Sequence, residues 1–316
     1  MKPKRRQDLN IDGRAEKCGS IGSVSWQPLS SMDSDPLVAF ASLSDKEVRI
    51  CKVFENGKRS EIQTALKIKN MLPKIVSFIS ESELLITSRL PLGRVAIYDV
   101  VAEKSTLYSS LGGKQLVGTK YVSNQSESLF SVAYEGGNVV NIDRRSKQWA
   151  SELRLNNDCV GLDWSSTGLF LADARSNIYE FDFRNMTNCV SRTLLETTSS
   201  LTSFAMNGDS LLACGSPFGT VDILDAVSKK VLTSFDNLVT PVDSVRFHPV
   251  HRSLLIASSK EKRNAVRFYE CATGKTMPAW PAATEVIGRA LNSDFSQCGR
   301  FLTVGCKSGR VQLFAL

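Results

Sequence analysis

The sequence predicts an all-β fold, a seven-bladed propeller, from three observations. The first is a recurring heptapeptide in which a β-branched residue is followed four positions later by an acid: GRVAIYD (93–99), GNVVNID (137–143), SNIYEFD (176–182) and GTVDILD (219–225). NAVRFYE (264–270) continues it, and KEVRICK (46–52) and GRVQLFA (309–315) are weaker members. The second is the spacing. The anchors Val48, Val95, Val139, Ile178, Val221, Val266 and Val311 stand 47, 44, 39, 43, 45 and 45 residues apart, close to the period of a four-stranded blade. The third is that every unit holds a short apolar run bounded by Gly, Ser, Asn or Pro, and none sustains a helical period for three turns. Such runs read as buried strands.

Each unit then resolves into four strands. The first closes on an aromatic: Trp26, Phe78, Tyr121, Trp164, Phe204, Phe247 and Phe295 in turn. The second is the apolar run, from LVAFASL at Leu37 through LLITS at Leu84 and LFLADA at Leu169 to FLTVG at Phe301. The heptapeptide is the third, and a less apolar outer strand follows it. One such antiparallel sheet cannot bury both faces, so the blades must pack around a common axis as a single domain. The third strand of the seventh unit ends at Leu316, the last residue. Its open edge calls for a closing strand, and the segment from Leu9 to Arg14 is the one expected to supply it. Residues 1–14 are thus read as a basic tail and closing strand, and residues 15–316 as the propeller.

The architecture is that of a WD40 propeller, with departures. A typical repeat has Gly-His before the first strand and Trp-Asp at the end of the third. Here the third strands end in Tyr-Asp, Ile-Asp, Phe-Asp, Leu-Asp or Tyr-Glu, and the only histidines, His248 and His251, share one turn. Without the His-to-Trp polar network, the blades are expected to rely more on apolar packing.

The chemistry-bearing residues argue against an enzyme. The eight cysteines form no C-x-x-C pair, so they read as small hydrophobes rather than zinc ligands. Asp99, Asp143, Asp182 and Asp225 recur once per unit at one strand end, the mark of a structural turn acceptor rather than a catalytic pair. His248 precedes Pro249 in a strand-to-strand turn and has no cluster of metal-ligating partners there. There is no phosphate-binding loop and no nucleophile elbow. No catalytic, metal or cofactor residue is therefore assigned. Trp26 and Trp164 read as core, whereas Trp149 and Trp280, near outer strands, are candidate interface anchors.

A formal net charge of +7 favours an anionic partner, either RNA or an acidic protein surface. The tail residues Lys2, Lys4, Arg5 and Arg6 read as a localisation signal, a phosphate contact or a solvated terminus. Connections between second and third strands open on one face of the disc. There Lys260, Lys262 and Arg263 load blade six, Lys307 and Arg310 load blade seven, and Arg89 and Arg94 load blade two, while blades three to five carry little. A basic sector is expected on that face, in contact with RNA phosphate, an acidic partner or water.

A closer likeness emerges in the last three blades. LACGSPFGTVDILD (212–225), NLVTPVDSVRFHP (237–249), LLIASSKEKRNAVRFYE (254–270) and FLTVGCKSGRVQLFAL (301–316) resemble the C-terminal propeller of the U3 small nucleolar RNA-associated protein 18 family. The Asn-Leu-Val-Thr segment and the SSKEKRNAV connection (258–266) are the distinctive parts. The resemblance implies a non-catalytic scaffold in the UtpB subcomplex of the small-subunit processome, in the nucleolus, acting in U3-dependent pre-rRNA processing and 18S rRNA maturation. It implies other WD40 propeller subunits and a HAT-repeat subunit as partners, with U3 RNA and pre-rRNA in the assembly and neither membrane nor small-molecule substrate. Larger members carry a long N-terminal extension that recruits the exosome-associated helicase. Only residues 1–14 precede the first blade here, so that role is not carried over. The alternative is a protein-only WD40 adaptor, such as a ubiquitin-ligase substrate receptor or a trafficking platform.

Overall fold

The computed structural model describes residues 4–8, 19–28, 35–54, 61–69, 71–89, 93–108, 119–124, 129–146, 148–182, 184–196, 199–208, 210–277, 280 and 286–316. They form seven four-stranded antiparallel sheets, and the one helical element among them is the single 3-10 turn Glu135–Gly137. Six sheets take their strands in chain order. First strands touch in a closed cycle, and that of blade seven, Ala290–Phe295, lies against that of blade one, Ile21–Trp26. The molecule is a seven-bladed β-propeller. Among the described residues no helix is long and apolar enough to cross a membrane.

The seventh sheet alone breaks chain order. Its outer strand is Lys4–Asp8, antiparallel to Val311–Ala315, with Lys4 opposite Ala315, Arg5 opposite Phe314 and Asp8 opposite Gln312. The register slips at Arg6, between Arg5 and Gln7. The pairing therefore uses the basic segment itself, and the expected closing stretch from Leu9 to Arg14 lies outside the described residues.

The seven anchors explain the ring. Val48, Val139, Val221, Val266 and Val311 are fully buried, and Ile178 and Val95 are 1% and 2% exposed. The apolar residues gather into seven clusters, each drawn from two adjacent blades. One joins Val48 and Ile50 of blade one to Val76 and Leu84 of blade two, and the ring closes with Phe301 and Leu313 packed on Trp26 and Phe40. Each large side chain so buried is worth about 1.5–3 kcal/mol, and a lone blade would leave the seam side of these residues exposed to water.

Two of the expected first-strand aromatics sit elsewhere. Trp26, Phe78, Trp164, Phe247 and Phe295 lie opposite Val38, Leu84, Leu169, Leu255 and Leu302. The equivalent residues in blades three and five are Asn124, opposite Phe130, and Met206, opposite Leu212, with Tyr121 and Phe204 farther up their strands. In blade five both Phe204 and Met206 are buried: any large apolar group fills this seam, so an aromatic does not mark the position.

Polar networks also survive the loss of the His-Trp pair. In blade four the fully buried Asp173 carboxylate accepts from Asn157 Nδ2 at 2.9 Å, the amides of Arg175 and Asn177 at 2.9 Å, and the Tyr179 hydroxyl at 3.1 Å. Burial opposes its charge, but the hydrogen bonds from Asn157, Asn177 and Tyr179 prevail and hold the carboxyl below its ordinary pKa. In blade three Ser131 donates to Asn141, which donates to Ser151 at 2.8 Å, while the Trp164 indole of blade four donates to Ser131 at 3.1 Å. Asn157 and Tyr179 supply a polar network although the Gly-His and Trp-Asp pairs are absent, so polar bonds add to the apolar packing expected to carry more of the load.

Candidate interface on the connection face

The recurrent aspartates lie on the opposite face, in the turns that lead to the outer strands, and are occupied there. Asp99 Oδ1 accepts the amides of Val101 and Ala102, both at 2.9 Å. Asp143 and Asp182 accept from Arg145 and Arg184 at 2.8 and 2.7 Å, and Asp225 takes both the amide and the hydroxyl of Ser228 at 2.7 Å. Hydrogen bonds of this kind lower the pKa of Asp143 and Asp225. His248 lies on that face too, 1% exposed. Its Nε2 lies 2.9 Å from the Gly299 carbonyl oxygen of blade seven, while Nδ1 accepts the amides of Val250 and His251 at 3.2 and 2.8 Å. With Nδ1 accepting, the proton belongs on Nε2 and donates to Gly299. Gly299 has φ +72°, and a Cβ there would run into the imidazole. His248 thus fastens blade six to blade seven. Among the described residues no three His, Cys, Asp or Glu side chains are grouped to hold a metal ion.

The cations of blades six and seven stand on firmly tied loops. Ser259 closes the blade-six loop by donating its amide to the Ala265 carbonyl at 2.9 Å, and Thr240 Oγ1 donates to Ser259 Oγ at 2.8 Å. Asn264, at φ +58°, exchanges two bonds with Ile287 on the connection to blade seven. Lys262 and Arg263 project from this frame into solvent. Lys260 is partly spoken for, since its Nζ lies 2.6 Å from Asp243 Oδ1 and its amide donates to Asp243 Oδ2 at 2.8 Å. In blade seven the amide of Lys307 donates to the Arg289 carbonyl at 2.8 Å, and Ser20 Oγ of blade one donates to the Lys307 carbonyl at 2.9 Å. Lys307 and Arg310 are exposed on either side of Gly309, whose φ of +80° makes the tight turn.

These loops enclose a depression of about 350 Å³ where blades six, seven and one meet. It unites Lys260 and Lys307 with Arg289, which expectations based on second-to-third-strand connections pass over. Arg289 precedes the first strand of blade seven, and the connections between blades open on the same face. Lys262, Arg263 and Arg310 stand outside the depression. Arg89 of blade two donates to the Leu43 carbonyl at 3.1 Å, and Leu43 is part of the depression wall; Arg94 supplies its carbonyl to the amide of Ser88. Lys4 and Arg5 pair at the far end of Val311–Ala315 from the Lys307–Arg310 turn, and Arg6 falls at the irregularity, so this basic stretch is a rim strand. Trp280 is no interface anchor. It is 5% exposed, with its ring 4.9 Å from Phe268 and 5.2 Å from Phe314, within the apolar cluster between blades six and seven. Trp149 is half-buried and packs on the core between blades two and three.

Blade six also joins the two segments that carry the family likeness: Thr240 meets Ser259 and Asp243 meets Lys260. The chain is a seven-bladed propeller similar to U3 small nucleolar RNA-associated protein 18. The homologs from Mus musculus and Homo sapiens are each 24% identical to it over 232 residues, 70% of this chain and 42% and 41% of theirs. The Saccharomyces cerevisiae protein is 30% identical over 111 residues, 33% of this chain and 18% of its own. The chain spans about two fifths of the length of the two mammalian relatives. No protein-family model matches it.

Proposed function

We propose that this chain is a non-catalytic scaffold subunit of a small-subunit processome, acting as UtpB-type subunits do in U3-dependent pre-rRNA processing and 18S rRNA maturation, in the nucleolus. The observation that carries the reading is blade six. Its two family-like segments are bonded to each other and present Lys262 and Arg263 to solvent, beside Lys307 and Arg310 of blade seven. Exposed cations on a tied frame suit an anionic partner, because little loop entropy is lost on contact. The protein partners in this reading are other WD40 propellers and a HAT-repeat subunit. U3 RNA and pre-rRNA are the nucleic acids of the assembly, touched through Lys260, Lys262, Arg263, Lys307 and Arg310, with Lys4, Arg5 and Arg6 at the rim. No membrane, cofactor or small-molecule substrate enters.

Sedimentation tests it. The tagged chain, run on a sucrose gradient from a nuclear extract of its own cells, should travel with U3 RNA in large particles and shift to light fractions after RNase treatment. A chain that stays in light fractions without U3, or in a large complex indifferent to RNase, would belong to the protein-only adaptor class instead.

A further inference from the structure

We infer that the depression between blades six, seven and one is a peptide pocket, which takes an apolar side chain from a short acidic segment of a protein partner. The inference stands apart from the processome reading, since it follows from the walls of the depression alone. Leu43 of blade one and Leu291 of blade seven, both partly exposed, form the apolar part of the lining. Arg289 and Lys307 are exposed on the rim, and Lys260 is held beside them by Asp243. The lysine and arginine stems add apolar surface while their heads stay in water. A volume of about 350 Å³ is at the low end for small-molecule pockets and suits one or two side chains.

The mixture selects the occupant. A phosphate backbone would gain from the cations but would leave Leu43 and Leu291 uncovered, and Glu261 on the lining opposes either kind of anion, so the leucines decide between them. A peptide whose aliphatic or aromatic residue enters between the leucines, with its flanking carboxylates on Arg289 and Lys307, satisfies both kinds of surface. The lining is tied in place: Ser20 Oγ bonds the Lys307 carbonyl across blades one and seven, and the Lys307 amide bonds the Arg289 carbonyl within blade seven. Little ordering is needed on binding.

The test is fluorescence anisotropy of the full chain at physiological salt with three labelled probes. They are a peptide with a central Leu-Phe flanked on both sides by Asp and Glu, the same peptide with Ser-Ser at its centre, and an oligouridine RNA of matched charge. The Leu-Phe peptide should bind about tenfold more tightly than the Ser-Ser peptide, and Arg289→Glu or Lys307→Glu should weaken it about tenfold without moving the thermal midpoint. Leu43→Asp should remove the preference for Leu-Phe; Leu43→Ser, a milder change, serves should the first variant unfold. Equal binding of the two peptides, binding indifferent to both cation reversals, or displacement of the peptide by RNA at lower concentration would overturn the proposal.

Discussion

Blades four and six solve the same turn in opposite ways. In blade four the second strand ends on Asp173, whose buried carboxylate gathers the amides of Arg175 and Asn177, and the third strand resumes at Asn177. In blade six the matching residue is Ser259, and the third strand resumes only at Val266. A serine cannot accept as many bonds as a carboxylate, so the longer loop is held from outside, by Thr240, Asp243 and Ile287. Lys260 pairs with Asp243, and Lys262 and Arg263 are left exposed to solvent with no turn to serve. An acid that satisfies its own turn marks architecture, and a loop tethered to its neighbours with unspent charge marks a surface for a partner.

Four perturbations sharpen this contrast in stability, beginning with the strongest. Asp173→Ala should strip acceptors from Asn157, Asn177 and Tyr179 inside the core and cost about 3 kcal/mol or more, read as a lower urea midpoint. His248 comes next. Burial, the first cause, and the nearby His251 hold its pKa below the ordinary value against the opposing bond to Gly299. The neutral ring is therefore the native form, and its contribution is complete above the ordinary histidine value and lost as pH falls below it. The thermal midpoint should drop between pH 7.5 and pH 5, and His248→Gln should be less stable at pH 7.5 but show a shallower drop. Asp225→Ala removes an exposed turn acceptor, and calorimetry should find a smaller loss than at either buried site. The triple reversal Lys262→Glu, Arg263→Glu, Lys307→Glu should leave the urea midpoint where it was, because these side chains serve no turn.

The fold was open to reading because each third-strand anchor is buried in the seam between its own blade and the next. Only β-branched residues recur at Val48 and its six equivalents, and their spacing survives drift elsewhere. The turn aspartates were legible for a similar reason, since each bonds amides two or three residues away. What escaped depends on distant pairing. Asn157 stands in for a histidine from the connection before blade four, Trp280 is drawn into a seam by Phe268 and Phe314, and Arg289 joins Lys307 because Ala290 pairs with Cys306 in blade seven. Phe204 misled for a simpler reason: two large residues in one strand can each fill a seam, and local pattern does not choose between them.

The account turns on whether the loops of blades six and seven serve a ribosome-assembly partner, and one paired purification tests that. The tagged chain and its triple reversal variant would be recovered from their own cells, with RNA sequencing and mass spectrometry. The account predicts U3 RNA, pre-rRNA, other propellers and a HAT-repeat subunit with the parent chain, and a several-fold loss of the RNA with the equally stable variant. Recovery of ubiquitin-ligase or vesicle-coat components without U3 RNA, or RNA recovery that the reversal leaves unchanged, would contradict it.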